Sequence, residues 1–205
     1  MSKVKICGLS RMEDIDIANS ALPDFIGFVF APSKRRVDAF SAAEFKKKLD
    51  PRIESVGVFV NETVEKIAEI HRNKIINLVQ LHGDEDDNYI KRLRNMCGCR
   101  VIKAIGINDT LPLLPNEPDY LLFDTLSAKR GGTGESFDWS ILKKFNGLPY
   151  FLAGGLDVTN VSEAMNILSP FCVDVSSGVE VDGMKDKKKI DDFVRKVRHF
   201  KENMR

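Results

Sequence analysis

Short apolar runs of strand character recur along the whole chain, separated by stretches in which apolar residues fall at helical spacing. The runs predict strands at Val4–Gly8, Phe25–Phe30, Ser55–Val60, Leu78–His82, Arg100–Ile107, Tyr120–Thr125, Tyr150–Gly154 and Cys172–Ser176. Asn61-Glu62-Thr63-Val64 opens a helix whose apolar stripe is Val64, Ile67, Ala68 and Ile70. Asp138, a good N-cap, opens another at Trp139, and Thr159-Asn160-Val161 a third. Lys185–Arg205 reads as a long charged helix with Ile190, Phe193, Val194 and Val197 on one face. Between Asp109 and Asp119, Pro112, Pro115 and Pro118 argue for irregular chain.

Strands alternating with about seven or eight helices predict an α/β fold, a single-domain (β/α)8 TIM barrel over residues 1–205 with a weak or irregular fifth helix. A doubly wound open sheet is the rival, but the first turn, Cys7-Gly8-Leu9-Ser10-Arg11, carries no dinucleotide fingerprint.

Side chains alternate across a strand, so in a barrel one set packs on helices and the other faces the lumen. Apolar Val4 and Ile6 stand opposite Lys5 and Cys7, and Val79 and Leu81 opposite Gln80 and His82. Ile102 and Ala104 stand opposite Lys103, Leu121 and Phe123 opposite Asp124, and Val173 and Val175 opposite Cys172, Asp174 and Ser176. The apolar parity is expected to face the helices. Polar groups of the other parity either satisfy one another in the lumen or form a site at the C-terminal mouth. Cys7, His82, Asp124 and Asp174, each near the end of its strand, favour the site.

Two glycine-containing turns, Ala153-Gly154-Gly155-Leu156 and Asp174-Val175-Ser176-Ser177-Gly178-Val179, follow the seventh and eighth strands. Each alone is an ordinary turn. Together, in the slots where many barrels hold a phosphate, they offer backbone N–H groups and hydroxyls to an anion. Cys7 reads either as a buried small residue or as a thiol whose pKa Lys5 lowers, with Asp124 as a partner carboxyl for acid–base chemistry. Arg35 and Arg36 are a solvated basic run or a clamp for a carboxylate. Gly131-Gly132-Thr133-Gly134 reads as a loop that covers a ligand or as slack, and His71 and His199 as solvated.

Composition narrows the class. The chain has 205 residues, 43% hydrophobic and 30% charged, enough to bury a core. Lys plus Arg is 31 against 30 Asp plus Glu, so no global field draws it to nucleic acid or to a membrane, and anion recognition is expected to be local. No apolar run approaches the roughly 20 residues of a membrane helix. Four scattered cysteines and an N-terminus without a signal-peptide core predict a reduced, cytoplasmic setting. Cys97-Gly98-Cys99 has no companion ligand pair, so no metal site is expected.

Lys5-Ile6-Cys7-Gly8-Leu9, Gly27-Phe28-Val29-Phe30 with Ser33-Lys34-Arg35, and Val56-Gly57-Val58-Phe59-Val60-Asn61 begin a series of motifs. Gln80-Leu81-His82-Gly83, Phe123-Asp124-Thr125, Gly131-Gly132-Thr133-Gly134 with Phe137-Asp138-Trp139, Gly154-Gly155-Leu156 and Asp174-Val175-Ser176-Ser177-Gly178-Val179-Glu180 complete it. In that order, from Lys3 to about Lys189, the chain closely resembles the phosphoribosylanthranilate isomerase family of tryptophan biosynthesis.

The resemblance implies a cofactor-independent Amadori rearrangement of a small phosphoribosyl substrate, N-(5-phosphoribosyl)anthranilate, to 1-(2-carboxyphenylamino)-1-deoxyribulose 5-phosphate. It makes Asp124 the general acid and Cys7 the general base. Arg35 holds the anthranilate carboxylate, with Arg36 as the competing assignment. Gln80, His82 and Asp174 line the pocket, and Gly154, Gly155, Ser176, Ser177 and Gly178 take the phosphate. Glu180–Asp186 is slightly short for the family, a change expected to affect a surface loop. A monomer is favoured over a homodimer. The rivals are the related histidine-pathway isomerase, disfavoured because no Gly-Gly pair follows the third strand, a metal-dependent pentose-phosphate epimerase, and a non-catalytic phosphoribosyl sensor.

Overall fold

The structure, a computed structural model, describes residues 2–125 and 137–200. Eight parallel strands close in sequence order into a barrel: β1 (Lys3–Cys7), β2 (Phe25–Val29), β3 (Glu54–Phe59), β4 (Leu78–Leu81), β5 (Arg100–Ile107), β6 (Tyr120–Thr125), β7 (Tyr150–Leu152) and β8 (Cys172–Val175). The α-helices among the described residues are α1 (Met12–Ala21), α2 (Ala39–Lys48), α3 (Val64–Arg72), α4 (Asp87–Cys97), α5 (Val161–Leu168) and α6 (Lys187–His199). None of these is long and apolar enough to cross a membrane.

The helices start and bury as their sequences predict. Thr63 accepts from Lys66 N at the head of α3, and Val64, Ile67, Ala68 and Ile70 are its buried residues. Asp186 does the same at α6, which buries Ile190, Phe193, Val194 and Val197. Residues 108–119 contain no helix, in keeping with their three prolines. Asp138 does cap a start, accepting from Ser140 N at 2.9 Å, but it opens only a 3-10 turn, Trp139–Leu142, with Gly147 and Pro149 soon after it. Among the described residues the helix count therefore falls below the expected seven or eight. The Gly131–Gly134 segment lies outside the described residues.

Register separates the two faces of each strand. β1 closes the barrel against β8 with Lys5 beside Asp174, and pairs Lys5 with Phe25 on its other side. The lumen holds an apolar plug of Phe25, Val56, Leu78, Ile102, Leu122, Phe151 and Cys172. Polar groups sit above it, toward the strand C-termini. Val4, Ile6, Val79, Leu81, Leu121, Phe123, Val173 and Val175 join the larger core beneath the helices.

β5 departs from the expected parity. Ile102 and Ala104 belong to the lumen plug, and Lys103 faces outward. Its ammonium reaches the Gly83 carbonyl at 2.6 Å and Glu85 at 3.1 Å. Glu85 in turn accepts from Asn61 N and Gly83 N, so this buried pair pins the loops that follow β3 and β4.

Candidate active site

A cavity of about 620 Å³ opens at the C-terminal ends of the strands. Cys7, Arg35, Gln80, His82, Asp124, Gly154, Gly155, Asp174, Ser176 and Ser177 all line it. Gly178 does not. It lets the loop after β8 press against the Leu156 carbonyl of the loop after β7, where any side chain would collide. Arg36 is exposed and lies outside the cavity, whereas Arg35 lines it.

Cys7 ends β1, and its thiol lies against Gly27 of β2, where a Cβ would stand 2.7 Å from Sγ. Glycine is needed there for close approach, without any unusual backbone angle. Lys5, one turn of the pleat below, is fully buried and donates to Asp174 Oδ2 at 2.7 Å. Burial works against the Lys5 ammonium, but Asp174 and Cys7 outweigh it and hold its pKa above the ordinary value. Burial pushes the Asp174 carboxyl up, with Lys5 pulling the other way. The Cys7 thiol is also pushed up by burial, although Lys5 and Lys185 both pull it down. The expectation of a thiol lowered by Lys5 thus has the right sign for the lysine and the wrong sign for the sum.

Asp124 stands across the barrel at the end of β6. Its Oδ1 accepts from Thr125 N at 2.8 Å, and its Oδ2 is 3.5 Å from His82 Nε2. Gln80 Nε2 lies 3.0 Å from His82 Nδ1, so the imidazole stands between Gln80 and Asp124. Gly154, with φ +83°, brings the loop after β7 against this corner; a Cβ there would lie 3.1 Å from Asp124 Oδ1. Beyond it, Asn160 Nδ2 donates to the Gly155 carbonyl at 2.8 Å and fixes the turn.

Arg35 crosses Gly8 and grips a carboxylate of the protein itself. Nε and Nη2 donate to Glu180 Oε1 and Oε2 at 2.6 and 2.8 Å. Nη1 and the second Nη2 proton make up a second fork on the same guanidinium.

The supposed surface loop at 180–186 is a β-hairpin, β9 (Glu180–Val181) and β10 (Met184–Lys185), turned by Asp182 and Gly183 at φ +51° and +78°. It buries Glu180 and Lys185 beside the site. Burial acts to raise the Glu180 carboxyl, but Arg35 and Lys185 overcome it and hold the group below its ordinary value. Reading by motif missed both residues. The Asp-Gly pair between Val181 and Met184 is a hairpin signal that could have found them. His71, expected to be solvated, is half-buried, its Nδ1 has no partner among the described residues, and burial lowers its pKa.

A family model described as N-(5'phosphoribosyl)anthranilate (PRA) isomerase matches residues 4–196. The chain is 52% identical over 203 residues to the N-(5'-phosphoribosyl)anthranilate isomerase of Caldanaerobacter subterraneus subsp. tengcongensis, covering 97% of this chain and 98% of that one. The phosphoribosyl anthranilate isomerase structure from Thermotoga maritima superimposes with a TM-score of 0.85 at 35% identity, covering 97% and 99% of the two chains. A further isomerase structure, in complex with reduced 1-(o-carboxyphenylamino)-1-deoxyribulose 5-phosphate, matches at TM-score 0.79 and 35% identity with the same coverage. The barrel, its polar mouth and these relatives agree, and the chain belongs to the N-(5'-phosphoribosyl)anthranilate isomerase family of tryptophan biosynthesis.

Proposed function

We propose that Cys7 and Asp124 divide the family's isomerisation between them as base and acid. The observation that carries this reading is their placement: they enter one cavity from β1 and β6, on opposite sides of the barrel. Asp124, protonated, gives its proton to the ribose ring oxygen. The C1–O bond breaks, and the anthranilate nitrogen lone pair forms the iminium. That cation acidifies the C2 proton, which Cys7 removes as thiolate, and the electron pair forms an enolamine that tautomerises to the ketone. Substrate and product are isomers, with one proton given and one taken in the two steps.

The remaining groups bind. The free fork of Arg35 suits the anthranilate carboxylate while Glu180 keeps the other fork, and Val29, Val58 and Leu122 offer an apolar wall to the ring. Gly154, Gly155, Ser176 and Ser177 cradle the phosphate, with Gly178 allowing their two loops to meet. Gln80 and Asp174 lie below, and His82 steadies Asp124.

The decisive assay follows the fluorescence of phosphoribosylanthranilate, generated in situ, with wild type, Cys7→Ala and Asp124→Asn. Signal loss with wild type and collapse in both variants supports the assignment. Turnover retained by either variant sinks it for that residue, and binding without conversion by wild type would favour a sensor.

A cytoplasmic monomer completes the proposal. One of the solved Thermotoga maritima relatives is described as dimeric in its parent form, and light scattering at twice the chain mass would replace the monomer here.

A further inference from the structure

We propose that Lys185 is a positioning residue for the isomerisation: from the hairpin after β8 it fixes Glu180 and Ser176, the residue hydrogen-bonded to the Cys7 backbone, and holds its ammonium on the Cys7 side of the cavity. The inference rests on Cys7 being the base, and deepens that reading.

A lysine only 5% exposed is costly unless its charge is fully used. Lys185 Nζ has acceptors at 2.8 Å (Glu180 Oε1), 2.9 Å (Ser176 carbonyl) and 3.4 Å (Ser176 Oγ). Both partners lead to the cavity. The Ser176 hydroxyl donates to the Cys7 carbonyl at 3.0 Å, and Glu180 holds Arg35 by a bidentate bond. The hairpin carrying Lys185 is tied down in its turn: Asp186 N donates to the Val179 carbonyl at 2.9 Å and Lys189 Nζ to the Glu180 carbonyl at 2.8 Å. One short hairpin therefore braces the thiol strand, the phosphate turn and the carboxylate clamp at once.

Charge counting shows why the cation matters. The charged groups facing Cys7 are Lys5 on β1, Asp174 on β8, Arg35 after β2, and Lys185 with its partner Glu180 on the hairpin. Lys5 and Asp174 cancel. Arg35 and Lys185 share the one carboxylate of Glu180, so this group keeps one uncompensated positive charge beside the thiol. Lys34, 3.9 Å from Glu180, is largely exposed and adds little in solvent. Removing Lys185 abolishes the excess, whereas neutralising Glu180 enlarges it.

The test reads Cys7 without turnover. Iodoacetamide modification of Cys7 in the free enzyme is followed against pH by peptide mass spectrometry in wild type, Lys185→Met, Lys185→Arg and Glu180→Gln. The midpoint is expected to rise by about one pH unit in Lys185→Met, a rate roughly tenfold lower at fixed pH, and to return toward wild type in Lys185→Arg. In Glu180→Gln it is expected to fall. kcat is expected to drop about tenfold in Lys185→Met, with KM changing less. A wild-type midpoint in Lys185→Met, or an unchanged or raised one in Glu180→Gln, overturns the inference. The Glu180→Gln arm decides alone if Lys185→Met does not fold. Turnover by Cys7→Ala would instead remove the base assignment and leave the alkylation result standing.

Discussion

Lys5 and Asp174 form an ion pair 2.7 Å long inside the barrel, joining the first strand to the last, while Asp174 Oδ1 has no partner among the described residues. A buried pair of this kind is costly to make and more costly to break. Its unpartnered oxygen belongs to a residue that lines the cavity, so the pair both closes the barrel and leaves a spare acceptor beside the cavity.

Lys5→Met strands the Asp174 carboxylate in the lumen and is expected to cost about 3–5 kcal/mol in urea unfolding. The same variant tests whether Lys5 favours the Cys7 thiolate. Its rate–pH profile should move to higher pH, and an unmoved profile would confine Lys5 to a structural part.

Gly27→Ala puts a methyl group 2.7 Å from Cys7 Sγ. The thiol must shift, and kcat is expected to fall by about 100-fold with a smaller change in KM. Steady-state kinetics beside a circular dichroism spectrum would separate this from misfolding.

Arg35→Lys replaces a planar guanidinium with two forks, one on Glu180 and one proposed for the substrate carboxylate, by a single point charge. KM should rise by about tenfold or more, with kcat less affected. An unchanged KM would take the substrate carboxylate away from Arg35.

The pH dependence has two signs. Cys7 lies above its ordinary value, so its alkylation should climb with pH beyond the usual thiol midpoint of about 8.5. Glu180 lies below its ordinary value, so it contributes stability above the unfolded glutamate pKa of about 4.3. That contribution is lost as pH falls through the lower folded value. Thermal melts of wild type should lose stability in that acid window, and Glu180→Gln should lose less across it.

Most of the barrel could be read from its apolar strand runs, and on β1, β4, β6 and β8 period-2 alternation puts apolar residues outward and polar ones inward at the mouth. β5 defeats that rule for a physical reason. Deep in the lumen the barrel is filled by side chains, so Ile102 is apolar on the inner face, and polarity there marks nothing. Lys103 is charged on the outer face because Glu85 reaches over from the loop after β4. That Cys7, Asp124 and the glycine turns after β7 and β8 meet at one cavity was legible from strand ends and glycines. Glu180 and Lys185 were not, since the Asp-Gly turn signals a hairpin there but not its contacts with Arg35 and Ser176. The upward shift of the thiol likewise depends on how deeply β1 is covered.

The β1–β8 seam has a consequence for the order in which the protein can be made. Lys5 and Cys7 are synthesised well before Asp174, the ionic partner of Lys5, which follows 169 positions after it. A chain still on the ribosome therefore carries a lysine that cannot enter a lumen and a thiol with neither Asp174 nor Lys185 beside it. Its N-terminal strand must stay wet until the last strand and its hairpin emerge. The Cys7 side of the cavity is then complete only once β8 and its hairpin have closed against β1.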